Sequence, residues 1–532
     1  MLYLLTGDDR NRMTERAQRL GHNAAVGHDP VARATDGKRG RIEGDVQRWL
    51  APPPRYFLFR SATHSVAATR QSLLVSDPCD MKMEMLATLR GGRLAQRLRI
   101  SGSSALALST VLQNGVRIIS TMVLTRLLSP DVYGLTGMIM SVFFVINMLS
   151  DVGFQAYIVR HHRSDDPDFL SAVWTIHAVR GVVLTIIAML LAWPVSQLLA
   201  RPELAGPLAV SSLIFAIDGQ ASLHQFRALR DGRVQRTALL SLCVGVSQTV
   251  AAILLAFFTR NIWAIVGSML IASMVRVWMS RTLFPGGHIY RRDRDVASDL
   301  WRFSRVIAAS SALTLVITQV DKLALSRILP LSQFGTYVIA STLAAVPTGF
   351  VAGYSNGIVY PTVAAAWRER RPIKDTYYRC WGRFFYLYAL AAGGLIGGAD
   401  LLIRFLYDPR YLPAAFYLMI LAIGTALFML TSSMEAMLVG CGRTRTGLEA
   451  NVVRLIWLIG GGLLALVRNE PIFLVLTIGL IEIPAYVYVA SRMQRLHLIS
   501  WTRELTVPLT IAAGVCVGGA LSYAGRILLP NL

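Results

Sequence analysis

From Ile100 onward the chain is a series of apolar runs, each about 20 to 27 residues long, and this feature limits the fold more than any other. At a rise of ~1.5 Å per residue, a helix of that length crosses a hydrocarbon core of about 30 Å. So many runs in series exceed what one aqueous globule could hide. Composition agrees: the 532 residues are 54% hydrophobic and 16% charged, against roughly a quarter charged in an average soluble domain. The runs place spans at 100–125, 135–159, 169–193, 207–226, 237–258 and 262–284, then at 303–328, 336–362, 380–406, 412–440, 447–467, 471–491 and 505–529. The expected fold is an all-α polytopic membrane protein with thirteen spans, the last lacking a hairpin partner.

A net charge of +22 raises the question of nucleic acid. The basic residues form no stripe with interleaved aromatics, and nucleic acid is not an expected partner. Lys and Arg concentrate instead in the loops after even-numbered spans. The positive-inside rule then makes those loops and the N-terminus cytoplasmic. The richest segments, "RRDRDVASDLWRFSR" and "WRERRPIKDTYYRCWGR", mix Trp and Tyr with Arg and are expected along anionic headgroups. Cys79, Cys243, Cys380, Cys441 and Cys516 show no paired spacing, so neither a disulfide framework nor a zinc site is signalled. Residues 1–80, with 12 Lys and Arg against 9 Asp and Glu and the stretch "APPPR", read as a disordered extension. "MKMEM" at Met81–Met85 reads like a second start, followed by a basic lead-in to residue 99; a regulatory tail is the alternative.

Between spans 1 and 2 stands "TRLLSPDVYGL", and between spans 7 and 8 "SRILPLSQFGT". An offset of 201 pairs Arg126 with Arg327, Leu128 with Leu329, Tyr133 with Phe334 and Gly134 with Gly335. Six spans separate the copies, so both halves enter the membrane from the same side, as in a parallel repeat about an axis along the membrane normal. Each copy reads as a tight outer hairpin turn. Arg suits a helix C-terminus, Pro or Ser breaks the helix, and an aromatic followed by Gly opens the next. Arg126 and Arg327 are expected as interface anchors.

The stretch "RLLSPDVYGLTGMIMSVFFVINMLSDVGFQAYIVR", with "VDKLALSRILPLSQFGTYVIAS" and a following "YP" in the second half, resembles the polysaccharide flippases. These are of Wzx type, from the lipopolysaccharide and exopolysaccharide exporter branch of the multidrug/oligosaccharidyl-lipid/polysaccharide exporter superfamily. The resemblance covers roughly residues 95–530. It implies a bacterial inner-membrane protein of two parallel six-helix bundles, 100–284 and 303–491, about a pseudo-two-fold axis. A linker at 285–302 joins them, and one or two extra C-terminal helices follow within 492–532. The cargo implied is a lipid-linked oligosaccharide, with polysaccharide polymerase and glycosyltransferases as candidate partners and no cofactor beyond a coupling proton or sodium ion.

Ionisable residues within spans are costly, about 2.5–3.5 kcal/mol each at the bilayer centre, and normally face a cavity or a partner. Here they are Arg117, Asp151, His177, Arg180, Asp218, Arg276, Asp321, Lys322, Glu435, Arg454 and Glu482. A pyrophosphate-linked sugar crossing hydrocarbon needs a wet, basic cleft, because guanidinium grips phosphate oxygens bidentately and stays charged. On that reading Arg117, Arg180, Arg276, Arg454 and Lys322 are the cationic candidates. Asp218 and Asp321 are the coupling candidates, and Asp151, Glu435 and Glu482 are further intramembrane acids. The competing expectation is mutual pairing that fastens helices, such as Arg180 with Asp218. "VPTGFVAGYSNG" in span 8 reads either as close packing through small residues or as a bending helix.

A multidrug antiporter is the nearest rival function, and an embedded glycan polymerase or ligase the rival from the enzyme class. No phosphate-cradling Gly-rich loop suggests a built-in ATP motor, and the outer loops are too short for a polymerase. The number of intramembrane arginines favours the flippase.

Overall fold

The structure, a computed structural model, describes residues 102–150, 153–231 and 234–528. The extension at 1–80, the lead-in at 81–99 and Asp151 lie outside the described residues. Helix occupies each of the thirteen expected places. In chain order these are α1 (Gly102–Leu127), α2 (Pro130–Leu149, resuming as Phe154–Arg160), α3 (Pro167–Leu198) and α4, broken into Ala205–Ser211, Leu213–Asp218 and His224–Arg230. Then come α5 (Val234–Thr259), α6 (Ile262–Leu283), α7 (Arg294–Ile328), α8 (Leu331–Arg368) and α9 (Ile373–Gly397 with Ala399–Leu406). The last four are α10 (Ala414–Gly440), α11 (Arg445–Arg468), α12 (Pro471–Arg495) and α13 (Trp501–Leu528). Among the described residues, length and composition alone qualify nine helices to cross a membrane, or ten if the two parts of α9, bent by 75°, count as one span.

Helix starts follow local chemistry more closely than hydropathy does. Pro130 and Pro167 open α2 and α3, where the missing N–H costs nothing. Asp293 Oδ1 accepts from the N–H of Asp295 (3.0 Å) and Val296 (3.2 Å), so α7 begins at Arg294 rather than near residue 303. Much of the expected linker is therefore helix.

The helices α1–α6 and α7–α12 form two lobes, and α13 lies on α9. That last crossing has no room for side chains. A Cβ on Gly393 would stand 2.1 Å from the Ile511 carbonyl oxygen, and one on Gly518 2.5 Å from that of Gly394.

At the end that carries the two repeated turns the lobes share one apolar core, in which Leu128, Tyr133 and Met138 pack with Leu325, Phe334 and Tyr337. At the opposite end the cores are separate. One, around Met434 and Trp381, belongs to the second lobe; another, around Phe169 and Trp174, belongs to the first with the start of α7.

The two turns meet each other. A Cβ on Gly134 would reach the Leu331 carbonyl oxygen at 2.7 Å, and one on Gly335 would reach that of Pro130 at 1.9 Å. Both glycines lie in the first turns of their helices, and it is this close approach that requires the missing side chain. Around it the lobes exchange hydrogen bonds at helix C-termini, where unpaired carbonyls carry partial negative charge. Arg201, after α3, donates Nη2–H to the Leu329 carbonyl at 3.2 Å. Arg410, after α9, donates to the carbonyls of Thr125 and Arg126, each at 3.3 Å. Tyr411 Oη donates to that of Leu128 at 2.8 Å, and Arg327 to that of Leu198. Arg327 thus bridges lobes, whereas the expectation was an anchor at the membrane interface. Arg126 takes part through its backbone.

In α8 the glycine-rich stretch does not pack closely: a Cβ on Gly349, Gly353 or Gly357 would meet nothing within 4 Å. Residues Ser355–Val359 form a π-helical turn immediately before Pro361, whose ring nitrogen has no proton for the helical ladder. The open space around these glycines departs from the close packing expected of small residues, and the π-helical turn marks a point where a helix can flex.

Candidate functional site

The intramembrane charges occupy four separate places. The first is built on the broken helix α4. Gly181 of α3 and Gly219 of α4 let the backbones touch; a Cβ on Gly181 would stand 2.4 Å from the Phe215 carbonyl oxygen. Backbone groups freed where α4 breaks find side chains: the Gly219 carbonyl oxygen lies 3.1 Å from His177 Nδ1, and Ser222 N–H donates to Ser280 Oγ at 2.9 Å. Leu223 N–H donates to His288 Nε2 at 3.2 Å, so that nitrogen carries no proton. Burial holds His288 well below the ordinary histidine range, at about 4.

This close crossing sets Arg180, Asp218 and Arg276 around a basin of about 210 Å³ that Asn147, His177 and Gln225 also line. Arg180 donates Nε–H to the Ser150 carbonyl (2.8 Å) and Nη2–H to Ser150 Oγ (2.7 Å), a cation on the C-terminal end of the first part of α2. Asp218 Oδ1 accepts from Ser273 Oγ and lies 3.7 Å from Arg276 Nε. The pairing is therefore Asp218 with Arg276. It is loose, and the Arg276 side chain is half exposed. Among the described residues, two guanidiniums and one carboxylate line the basin.

Arg117 stands apart. It lines a cavity of about 530 Å³ between α1, α2, α5 and α6, whose other polar walls include Gln113, Thr121, Thr136, Gln248 and Ser268. In the second lobe Asp321 is buried, accepts from Tyr337 Oη through Oδ2 at 2.8 Å, and leaves Oδ1 without a hydrogen-bond partner; Lys322 follows it on α7. Arg454 is enclosed rather than presented to a cleft. Its Nε and Nη2 reach Glu482 at 3.1 and 2.9 Å, Nη1 reaches Asn451 Oδ1 at 2.8 Å, and Nη2 lies 3.0 Å from Glu435. A guanidinium so occupied has little left for a phosphate. The proposed cationic series thus resolves into a pair, Arg180 with Arg276, and three residues placed elsewhere. Gly134 and Gly335, with Arg126 and Arg327, sit in the inter-lobe seam.

Residues that the sequence did not single out are Asn147, Gln225 and Ser273 in the basin and Arg201, Arg410 and Tyr411 in the seam. The first three are uncharged and carry no sequence signal. The last three lie in "ARPEL" and "DPRYL", Pro-marked loops at equivalent points of the two halves, and could have been found by extending the repeat comparison beyond the turns.

The family described as polysaccharide biosynthesis protein matches residues 123–416. Over 258 residues the chain is 23% identical to the succinoglycan biosynthesis transport protein ExoT of Rhizobium meliloti (strain 1021), covering 48% of this chain and 52% of that one. Over 292 residues it is 24% identical to the lipopolysaccharide biosynthesis protein WzxC of Escherichia coli (strain K12), covering 53% and 57%. The chain therefore spans little more than half the length of these two relatives. Among solved structures, the lipid II flippase MurJ in an inward closed conformation superposes with a TM-score of 0.62 at 14% identity, over 81% of this chain and 99% of that one. An inward-facing multidrug resistance MATE family transporter gives 0.55 at 15%, over 76% and 97%. At these identities the likeness is one of fold.

Proposed function

The chain belongs to the polysaccharide biosynthesis protein family, and we propose that it flips a polyprenyl-pyrophosphate-linked oligosaccharide across the cytoplasmic membrane for export of a surface polysaccharide. It is a multi-pass membrane protein, and on this reading a transporter rather than an enzyme. Relatives named for succinoglycan transport and lipopolysaccharide biosynthesis, and a fold neighbour named as a lipid II flippase, support that class of cargo.

The observation that carries the reading is the basin inside the first lobe where, among the described residues, Arg180 and Arg276 gather around the single carboxylate of Asp218. A pyrophosphate is the group that most needs such a place, since its charge is what hydrocarbon rejects. Arg180 is preset by Ser150. Arg276 is half exposed and loosely held, so a phosphate oxygen can replace Asp218 at its guanidinium. Asp218, once displaced, is free to take a proton or sodium ion, which links cargo to ion. Asp321 is the second coupling candidate. With the basic loops inside, the fused turn end faces outward, and the present state is one that loads from the cytoplasm by alternating access.

The test is reconstitution into vesicles with a short-chain lipid-linked oligosaccharide, following sugar accessibility with and without an ion gradient. Arg180→Ala and Arg276→Ala should abolish movement while the protein remains folded in the bilayer. If the wild type moves no sugar under any gradient, alongside verified folding, the flippase reading fails.

A further inference from the structure

We propose that Glu435 is a proton-binding site built into the second lobe, separate from the basin and from Asp321. It sits in a buried ion triad contributed by three helices: Glu435 on α10, Arg454 on α11 and Glu482 on α12. The two carboxylates receive different treatment. Glu482 accepts both guanidinium bonds from Arg454 in a bidentate pair, and its Oε2 also accepts from Thr431 Oγ1 at 2.6 Å. Those donors suit an ionised carboxylate. Glu435 has only Nη2 of the same guanidinium, 3.0 Å from an Oε1 that is shielded from solvent yet makes no aligned hydrogen bond.

Charge completes the case. With both acids ionised the triad holds one positive and two negative charges within membrane-crossing helices, and an unbalanced buried charge is strongly disfavoured even after relaxation. One proton removes the imbalance, and the acid without satisfied acceptors is the one to take it. Arg454 and Glu482 are the charged groups acting on Glu435. Among the described residues, no further charged group from the helices packed on α10 acts on it. Tyr377 of α9 is engaged with Ser433, and Glu504 of α13 accepts from Tyr378. The Glu435 side chain is 23% exposed against 6% for Arg454, so the proton has access from the Glu435 side.

Protonation frees Nη2 for Glu482 alone and loosens α10 from α11; deprotonation draws them together. The site is thus a proton-dependent link among three helices of the lobe opposite the proposed cargo basin. It requires no substrate, so its failure would leave the flippase reading intact, and the reverse also holds.

The experiment is infrared difference spectroscopy of the full-length protein in phosphatidylcholine and phosphatidylglycerol vesicles, stepped from alkaline to mildly acidic buffer. The wild type should gain a protonated-carboxyl C=O band. Glu435→Gln should lose one component of this band that Asp321→Asn and Glu504→Gln both retain. A band undiminished in Glu435→Gln, or loss of that same component in either of the other two, overturns the assignment. Should Glu435→Gln fail to fold, Glu435→Asp replaces it: the band's titration midpoint should shift, and an unmoved midpoint overturns the proposal.

Discussion

Removing the guanidiniums of Arg201 and Arg410 tests whether the seam between the lobes is held by side chains bonding to helix ends. Each side chain reaches across to carbonyls left unpaired where a helix of the other lobe stops: Leu329 at 3.2 Å for Arg201, and Thr125 and Arg126 at 3.3 Å for Arg410. A hydrogen bond with one charged partner contributes about 1.5–3 kcal/mol when well shielded. These bonds are long, and Arg410 is half exposed and also paired with Asp408 at 2.8 Å. A discounted value of about 1 kcal/mol for each arginine is therefore appropriate. Arg201→Ala or Arg410→Ala alone should shift the ratio of turn-end-closed to turn-end-open molecules about fivefold, and the double variant about thirtyfold. Spin labels on cysteines replacing Asp131 and Ser332, which are exposed on the two turns, read that ratio directly as short and long distance populations in pulsed electron resonance. The double variant should move population from short to long, and each single variant should fall between. An unchanged distance distribution in the double variant, in vesicles as in detergent, would refute the idea that these bonds keep the end closed and leave the task to the apolar core alone.

Other consequences can be measured separately. Gly335→Ala, whose Cβ would stand 1.9 Å from the Pro130 carbonyl oxygen, should lengthen the same label distance more than Gly134→Ala, whose nearest contacts at 2.7 Å include the movable Leu331 side chain. Ser273→Ala, which removes a hydroxyl donor to Asp218, should slow sugar accessibility in vesicles less than Arg276→Ala does, because it leaves the basin's charge unchanged. His288, held down to about 4 from 6.5, keeps its neutral form in the fold while an unfolded chain protonates near 6.5. Its contribution is complete above pH ~6.5 and is lost as pH falls from there toward ~4. Melting temperatures across that window should therefore drop less in His288→Gln than in the wild type.

The span pattern carried much of the fold, because a helix crossing hydrocarbon is dictated by length and apolarity alone. Where hydropathy misplaced boundaries, as at α7, a side-chain cap such as Asp293 decided them, and caps act over two or three residues. The repeat was visible through the matched pairs Arg126 with Arg327 and Gly134 with Gly335. Their task was not visible, since a linear comparison shows that two turns are alike but not that they touch. Pairing among the buried charges was least legible. The sequence suggested Arg180 as the partner of Asp218, whereas the structure gives it Arg276, because Ser150 takes Arg180 and the glycine crossing sets α3 against α4. Arg454 carried the same chemical credentials as Arg180, and only the approach of two carboxylates from α10 and α12 distinguished an enclosed cation from an available one.

The contacts between the repeated turns have a further meaning once the offset of 201 is applied to them. Gly134 meets Leu331, which is the counterpart of Pro130, and Gly335, the counterpart of Gly134, meets Pro130 itself. This is an isologous interface, the contact of a two-fold homodimer, folded into a single chain. Such a seam needs only one surface pattern, used twice, to close. The seam keeps that symmetry in its glycines while the interiors differ: among the described residues, two guanidiniums face one carboxylate in one lobe, and one guanidinium faces two carboxylates in the other.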